Sequence, residues 1–492
     1  MNKILPLITI AGALLCGVPC GFGQTPQRSD PFVKERGEAA AKGSAAVTGG
    51  QVLGYQTVFE VYSMAGEGAF ALLQEEMKSA ALYQRVQGLE KEGRARLEVL
   101  QSVASVGGER VVVQSVDEVR YPTEYDAPRA AGLSAFPTAF EMRAVGEAFE
   151  MELSAGSDER SVNVTMNPRS VRFGGFREEA LKPGLLPWAQ PLFGVEELQV
   201  SALIPVGEPH FVGTLSADAG ALGGAQREMR LGFLTVHAVR AGTGKSGVTG
   251  GAVPAGGWKV QYTFCSMDRA LGRDLFKGAG IADAAWEQVR TLMEEGRARI
   301  DDMVVADASS GQRVGSSGFS EVHYPTEFTP PDSGEKNSED NDQSRGGRGE
   351  VVEEAGKKDA ASGRGKAVAT GKAKSVSGVN GWGAAWASRF ETRNVGVRVE
   401  FELEVEGDGG IVVAQNLSSV VHRGSLKVEG VAMEWPAQPL FESRELKCRQ
   451  RAAVGQQTLV GTLSAPVGSG VDGRKDEGRA VLVFVRFLNE AR

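Results

Sequence analysis

The stretch VRVEFELEV, Val397–Val405, alternates apolar and charged or polar side chains along its whole length. Successive side chains of a β-strand point to opposite faces, so this period of two predicts a strand with one apolar and one charged face. Further strand-like runs, bounded by turn residues, lie at Arg110–Val116, Ala148–Ser154, Leu231–Val239, Ile411–Ala414 and Ala480–Phe487. Such runs are typical of antiparallel sheets that bury one face.

The sequence also contains an internal duplication. Ser63-Met64 recurs as Ser266-Met267, EGRAR at Glu92–Arg96 recurs at Glu295–Arg299, and YPTE at Tyr121–Glu124 recurs at Tyr324–Glu327, each 203 residues later. FEMRAVG at Phe140–Gly146 returns as FETRNVG at Phe390–Gly396, while QPLF at Gln190–Phe193 and GTLSA at Gly213–Ala217 return 248 residues later. Matches in one order, whose spacing changes mainly where the second copy carries an insertion, indicate a tandem repeat. We therefore predict two copies, residues 54–241 and 258–490.

Each copy begins with a strand pattern followed by a helical pattern. Tyr55–Tyr62 and Trp258–Cys265 are rich in aromatic and β-branched residues, and Asp283 is suited to cap the following helix in the second copy. One helix face carries Trp286, Val289 and Leu292, and the first copy repeats it with Tyr83, Val86 and Leu89. We interpret Trp286 as a core residue. The order strand, helix, strands predicts an α+β fold: two tandem copies of a mainly antiparallel β domain with one N-terminal helix each.

The remaining segments have the composition of leaders and linkers. Lys3 precedes an apolar run, Ile4–Leu15, and small residues end the segment at Gly23, so residues 1–23 are predicted to be a secretory signal peptide. Residues 24–53 are predicted to be a flexible leader, and the Gly-rich residues 242–257 a linker. The second copy carries an insertion, residues 331–378, whose mixed charges predict a disordered loop rather than a basic interaction arm.

The four cysteines of the chain are relevant to two questions: whether a lipid is attached, and whether a disulfide forms. Cys16 and Cys20 lie within the signal, and neither follows the small residue that should precede a lipidated cysteine, which disfavours a lipoprotein. Cys265 and Cys448 remain in the exported chain, where an oxidising compartment permits one disulfide. Two isolated buried thiols are the preferred interpretation.

The composition disfavours several classes of function. A formal net charge of −8 repels nucleic acid and anionic membranes, and the four histidines share no spacing of metal ligands. GTGKS at Gly242–Ser246 resembles part of a phosphate-binding loop, but Val239 replaces the required glycine and no helix pattern follows. We therefore expect no nucleic acid, no nucleotide, no metal, no cofactor and no catalytic site, and no role for Lys245.

Glu124 and Glu327 are the best carboxylate candidates for acid–base chemistry, with one in each copy. A pair across a pseudo-twofold axis would suit a hydrolase. We favour the alternative that Pro122 and Pro325 close a strand edge there and that the glutamates bond local backbone amides. The only histidine beside this motif, His323, corresponds to Arg120 in the first copy, which argues against a catalytic base.

The order of these landmarks resembles the secretin domain of bacterial type II and III secretion and pilus outer-membrane channels. The landmarks are Val395-Gly396, the turn Gly407–Gly410, the segment from Arg444 to Gly461 and the strand Val481–Phe487, with first-copy counterparts at Val145-Gly146, Glu196 to Gly213 and Leu231–Val239. The resemblance covers most of both copies and implies a multimeric outer-membrane channel.

The charged face of Val397–Val405 argues against the insertion in the membrane that this resemblance implies. Arg398, Glu400, Glu402 and Glu404 share one face of Val397–Val405, and arginine on a lipid-facing strand costs roughly 2–4 kcal/mol at the midplane, acids somewhat less. We expect the apolar face to pack on the helix that carries Trp286, and any membrane association to be peripheral.

The sequence thus predicts an exported, non-enzymatic structural or assembly component of the cell envelope, located in the periplasm or at the periphery of the outer membrane. Its partner would be another protein or a second copy of itself, paired through β-strand edges. A secreted periplasmic binding module with a cleft between the copies is the alternative from another class, and an envelope hydrolase that uses Glu124 and Glu327 is the third.

Overall fold

A computed structural model describes most of both repeats. The described residues are 52–75, 78–126, 135–156, 160–179, 188–215, 228–240, 257–277, 281–329, 386–406, 410–426, 436–466, 471 and 478–489. The predicted signal peptide, all but the last two residues of the leader, the linker up to residue 256 and the insertion 331–378 lie outside them, as do Lys245, Cys16 and Cys20.

Strands make up most of the described chain. The first half contains β1 (Val52–Ala65), α1 (Gly66–Glu75), α2 (Ser79–Lys91), β2 (Ala95–Ser105), β3 (Arg110–Asp126), β4 (Phe136–Ala155), β5 (Ser161–Glu179), β6 (Trp188–Glu197), β7 (Val200–Pro205), β8 (His210–Leu215) and β9 (Glu228–Arg240). The second half contains β10 (Trp258–Asp268), α3 (Arg269–Asp274), α4 (Ile281–Glu294), β11 (Ala298–Ala308), β12 (Arg313–Thr329), β13 (Trp386–Val405), β14 (Ile411–Ser425), β15 (Pro439–Ala452), β16 (Gln457–Thr462) and β17 (Arg479–Asn489).

These strands form two antiparallel sheets, and each sheet takes strands from both halves. The first, which we call sheet A, has the order β11-β10-β17-β16-β2-β1-β9-β8. Sheet B has the order β12-β13-β14-β15-β3-β4-β5-β6, and β7 also pairs with β5. The predicted class, mainly antiparallel β structure with few helices, is confirmed. The helical segment of each half is divided into two helices.

The main hydrophobic core lies between the two sheets. Phe59 of sheet A stacks on Phe149 of sheet B with ring centroids 5.0 Å apart, and Tyr262 packs on Phe401 at 5.6 Å. The apolar side of Val397–Val405 is buried in this core. Burial of an alternating strand face against a second sheet removes apolar area from water, which is the largest favourable term in folding.

The expectation that this strand packs on the helix of Trp286 is wrong. Trp286 lies on the other side of sheet A, where its ring meets Phe484 of β17 at 5.2 Å. Strands β10 and β17 therefore stand between the helix and the strand Val397–Val405. A period of two identifies the buried face of a strand, but not the element that covers it.

The helices pack on the outer face of sheet A. The helix α4 begins at Ile281, so Asp283 lies in its first turn and is not the cap. Trp286 and Val289 face the sheet, as the pattern predicts, and in the first half Tyr83 and Val86 do the same. Among the described residues, no helix is both long and apolar enough to cross a membrane.

Candidate functional site: the joint between the two halves

The two halves meet edge to edge in both sheets, and we call this contact the internal joint. In sheet B, β15 of the second half pairs with β3 of the first over seven residues, from Phe441 opposite Glu118 to Lys447 opposite Val112. In sheet A, β16 meets β2 at Gly461 and Val103. The last edge of the second half therefore joins the first edge of the first half, a head-to-tail arrangement.

Gly461 permits the close approach in sheet A. A Cβ atom at this position would lie 2.3 Å from the carbonyl oxygen of Ser102, which is well inside contact distance. The neighbouring Thr462 accepts a hydrogen bond of 2.8 Å from the backbone N–H of Ser102 through its Oγ1. The repeated motif GTLSA thus supplies the glycine and the hydroxyl that hold the strand edges together.

Arg120 ties the joint in sheet B and is buried. Its guanidinium lies 4.3 Å from the ring centroid of Tyr324, donates to the Tyr324 hydroxyl at 2.7 Å, and donates to the carbonyl oxygen of Pro439 at 3.3 Å. Glu118, two residues earlier, accepts hydrogen bonds from Arg393 and from Ser443. All four partners belong to the second half, so two charged residues of β3 are satisfied across the joint.

Two arginines of α3 hold the helical side of the joint. Arg273 pairs with Glu90 of α2 and lies 3.4 Å from the hydroxyl of Tyr62. Arg269 donates to the backbone carbonyl of Glu98 at 2.9 Å. Both arginines are buried, and both reach into the first half. Removal of one partner of the Arg273–Glu90 pair would leave a largely buried charge without its counter-ion, which is costly.

A buried ionic network lies beside the joint, between the two sheets. Arg230 donates to Glu98 at 2.8 Å, to Glu147 at 2.8 Å and to Glu196 at 2.5 Å. Burial would raise the pKa of Glu98, but Arg230, Arg172 and Arg96 outweigh burial and hold that pKa below its usual value. The Glu98 carboxylate is therefore ionised at neutral pH, and the contacts of Arg230 with Glu98, Glu147 and Glu196 link sheet A to sheet B.

The edge that the internal joint covers in the first half has no described strand along it in the second half, and we call it the bare edge. The repeat spacing of 203 residues makes Met303 of β11 the counterpart of Leu100, and Phe319 of β12 the counterpart of Val116. Leu100 is 2% exposed and packs among residues of the second half, whereas Met303 is 47% exposed. Val116 is 5% exposed and Phe319 44%. Ile300 and Val305 of β11 are similarly exposed.

At the opposite end of both sheets, the outermost strands also lack a further partner among the described strands. Sheet A ends at β8, and sheet B ends at β6 and β7. Val195 of β6 and Leu203 of β7 are exposed there. The spacing of 248 residues makes β6 and β8 the counterparts of β15 and β16, the strands that form the internal joint. Both outer edges of the described sheets thus have a counterpart inside the internal joint. The edge of β6 and β8 corresponds to β15 and β16, and the edge of β11 and β12 corresponds to β2 and β3.

One part of β12 is covered. Glu327 lies opposite Ala139 of β4, and Phe328 packs on Phe140 at 5.8 Å, so the tip of β12 folds onto the first half. Among the described strands, the part of β12 from Val314 to His323 pairs with β13 only.

The structure brings the two candidate carboxylates to one place. Glu124 on β3 and Glu327 on β12 both lie opposite Ala139, on the two strands that flank β4. Their backbones are therefore about 10 Å apart, which is two strand spacings. Glu327 forms an ion pair of 2.7 Å with Arg389, a side chain rather than the backbone amide expected from the sequence.

The histidines and cysteines are distributed over separate sites. His323 is exposed and hydrogen-bonds Thr392 at 2.9 Å, while burial lowers the pKa of His237 to about 4. Cys265 and Cys448 are free and buried, as preferred from the sequence, and burial raises the pKa of each thiol to about 12. Within the described residues, no three His, Cys, Asp or Glu side chains are grouped to hold a metal ion.

The residues that make the internal joint and its ionic network carry only a weak signal in the sequence. Arg230 lies in a largely apolar run, whereas Glu118 and Arg120 lie in the charged segment VDEVRY and Arg273 directly precedes Asp274. The available signal was a charge on a face that periodicity marks as buried, such as Arg230 within EMRLGFLTV. Such a residue needs a partner, because an isolated buried charge is costly.

Comparison with known proteins gives little further information. No protein-family model and no curated protein sequence matches this chain. Among solved structures, ExeD of Aeromonas hydrophila, a type II secretion secretin, aligns with 41% of this chain and 51% of its own at 12% identity. This chain thus matches about half of ExeD, and the TM-score is 0.17. A similarity of this size carries no argument about fold or function.

Proposed function

We propose that this protein is an exported structural component of the cell envelope that assembles with further copies of itself. Its two halves are consecutive units of a longer pair of β-sheets. Each added chain continues sheet A and sheet B across a contact that repeats the internal joint. The resemblance of its sequence landmarks to the secretin domain supports a secretion-related role for the assembly.

The observation that carries the proposal is the difference in exposure between counterpart residues. Leu100 and Val116 are buried by the internal joint, whereas Met303 and Phe319 keep large apolar side chains at the same positions on a bare edge. An exposed apolar edge strand favours pairing with another chain, and monomeric proteins usually protect such edges. The occupant that fits this edge is the counterpart of β15 and β16, which is the β6 and β8 edge of a second copy.

If the strands of two chains pair in the same register as β15 and β3 of the internal joint, two particular residues come to lie opposite each other. In the internal joint Ser443 lies opposite Val116. The counterparts of these residues are Val195 and Phe319, so Val195 of one chain would lie opposite Phe319 of the next. Both are exposed apolar residues in the single chain. An aromatic residue opposite a β-branched one is a favourable cross-strand pair, worth about 0.2–1 kcal/mol.

The same transfer in sheet A places Gly213 of one chain opposite Ala306 of the next, as Gly461 lies opposite Val103. A head-to-tail contact of this kind generates either a closed ring or an open filament, depending on the rotation per chain.

We propose that the assembly associates with the membrane only at its periphery, since the outer face of Val397–Val405 carries Glu400 paired with Arg398 and Arg313.

The mass of the protein after gentle extraction tests the proposal. Light scattering should give multiples of the 52.0 kDa chain, less any removed leader. Met303→Glu or Phe319→Lys should reduce the mass to that of one chain, because each places a charge at the paired edge. Val454→Glu is the matched control, since Val454 is an exposed apolar residue outside the free edges. A monodisperse single chain for the unmodified protein would overturn the proposal and favour a secreted binding module.

A further inference from the structure

The internal joint and the proposed contact between chains differ where their helices meet. In the internal joint the contact is ionic: Arg273 of α3 pairs with Glu90 of α2. The repeat spacing of 203 residues gives each of them a counterpart in the other half. The counterpart of Arg273 is Phe70 of α1, and the counterpart of Glu90 is Met293 of α4. The contact between chains would therefore bring Phe70 of one chain onto Met293 of the next.

The exposure of these residues fits that role. Phe70 is 63% exposed, although it is a large aromatic residue on a helix that buries Ala69 and Leu72. Met293 lies partly exposed at the border of the helical cluster of the second half. A thioether beside an aromatic ring is a favourable contact, and burial of both side chains removes apolar area from water.

We infer that Phe70 of one chain and Met293 of the next close the helical side of the contact between chains with an apolar pair in place of an ion pair. The inference rests on the proposed assembly. Arg273 and Glu90 are already paired with each other inside each chain, so the helical side of a contact between chains is left to their two apolar counterparts.

The same logic applies at the neighbouring position. Arg269, which donates to the carbonyl of Glu98 in the internal joint, has Gly66 as its counterpart. Gly66 has no side chain to donate, so the contact between chains lacks this hydrogen bond. The contact between chains is thus more apolar and less ionic than the internal joint.

An exchange of charges tests the inference with the full-length protein. Phe70→Arg alone should raise the concentration for half-assembly about tenfold or more, because the arginine would face Met293. Met293→Glu alone should do the same. The double variant should recover assembly to within about threefold of the unmodified protein, since it rebuilds the Arg273–Glu90 pair between chains. Ala71→Arg is the control, because it adds the same charge at an exposed neighbouring position on α1.

The outcomes separate this inference from the proposed function. If the unmodified protein does not assemble, both fail. If it assembles and Phe70→Arg and Met293→Glu assemble equally well, the inference alone fails. Should Met293→Glu not fold, Phe70→Glu supplies the second test, since Phe70 is 63% exposed and its replacement is expected to leave the fold intact. Retained assembly of Phe70→Glu at unchanged concentration would overturn the inference, and its loss would support it.

Discussion

The guanidinium of Arg120 lies 4.3 Å from the ring centroid of Tyr324, in the other half of the chain. The two residues occupy neighbouring places in the duplicated motif: Tyr324 begins the second YPTE, and Arg120 directly precedes the first. His323, the counterpart of Arg120, makes no such contact and hydrogen-bonds Thr392 at the surface. Duplication thus produced one motif with two environments, one inside the internal joint and one on a bare edge.

Replacement of Arg120 should weaken the internal joint. Arg120→Leu removes the hydrogen bonds to Tyr324 and Pro439 and should lower the free energy of unfolding by about 2–4 kcal/mol. Arg120→Lys keeps the charge but loses the planar fork, so an intermediate loss is expected. Urea unfolding of the three proteins measures the differences. Equal stability of Arg120→Leu and the unmodified protein would show that the contact contributes nothing.

Arg230→Met should be among the most destabilising substitutions in the chain. It leaves Glu98, Glu147 and Glu196 without their common partner, at a cost of about 3–5 kcal/mol near neutral pH. Arg110→Met is the matched control, because its pair with Glu150 is partly exposed and worth about 1 kcal/mol or less. Chemical denaturation at pH 7 measures both losses.

The deficit of Arg230→Met should also depend on pH. Since the pKa of Glu98 is lowered in the folded protein, its contribution to stability is present above the unfolded value and is lost as the pH falls through the folded one. The difference between Arg230→Met and the unmodified protein should therefore shrink below about pH 4.5. A difference that is constant from pH 7 to pH 3 would contradict the ionic account of this network.

His237 should make the folded state sensitive to mild acid. Burial lowers its pKa from 6.5 to about 4, so the unfolded chain binds a proton that the folded chain rejects between these values. Stability then rises with pH across this interval. Between pH 6.5 and pH 4, the free energy of unfolding of His237→Asn should fall by about 2 kcal/mol less than that of the unmodified protein. Thermal unfolding at several pH values measures this, and parallel curves would refute it.

The cavity around His237 contains the groups that could modify this behaviour. It has a volume of about 150 Å³ and is lined by the charged or titratable side chains of Glu60, Tyr83, Arg273 and Lys277 as well as His237. Burial raises the pKa of Glu60, whose carboxylate accepts from Tyr83 at 2.7 Å. Comparison of Glu60→Gln, His237→Asn and the double variant separates the titration of Glu60 from that of His237.

Gly461→Val should open the sheet A side of the internal joint. The added Cβ would collide with the carbonyl of Ser102, which is backbone and cannot move aside as a side chain can. A loss of about 2–3 kcal/mol in unfolding free energy is expected. Gly68→Ala is the control, since a Cβ there meets nothing within 4 Å and the helix gains propensity. Equal stabilities of Gly461→Val and the parent would disprove the close approach.

The sequence predicted more of the fold than of the joint. Alternation at Val397–Val405 identified a strand and its buried face, and the helical spacing of Trp286 and Val289 identified the helix face that packs on the sheet. The covering element was predicted wrongly, since periodicity describes one element and not its neighbour. Joint residues such as Arg120 could not be found in the same way, because their partners lie about 200 residues away and only the pairing of β15 with β3 brings them together.

A disulfide designed from the internal register tests the central claim most directly. Val195→Cys with Phe319→Cys places two thiols on facing strands of consecutive chains, at a Cα separation of about 4.5–5.5 Å that suits a disulfide. Cys265 and Cys448 are buried. The account predicts a ladder of dimers, trimers and larger species on non-reducing gels. Val195→Cys with Ser316→Cys, which is out of register by three residues, should give none, and each single variant at most a dimer. No ladder from folded Val195→Cys with Phe319→Cys, or equal ladders from both pairs, would contradict assembly through a repeat of the internal joint.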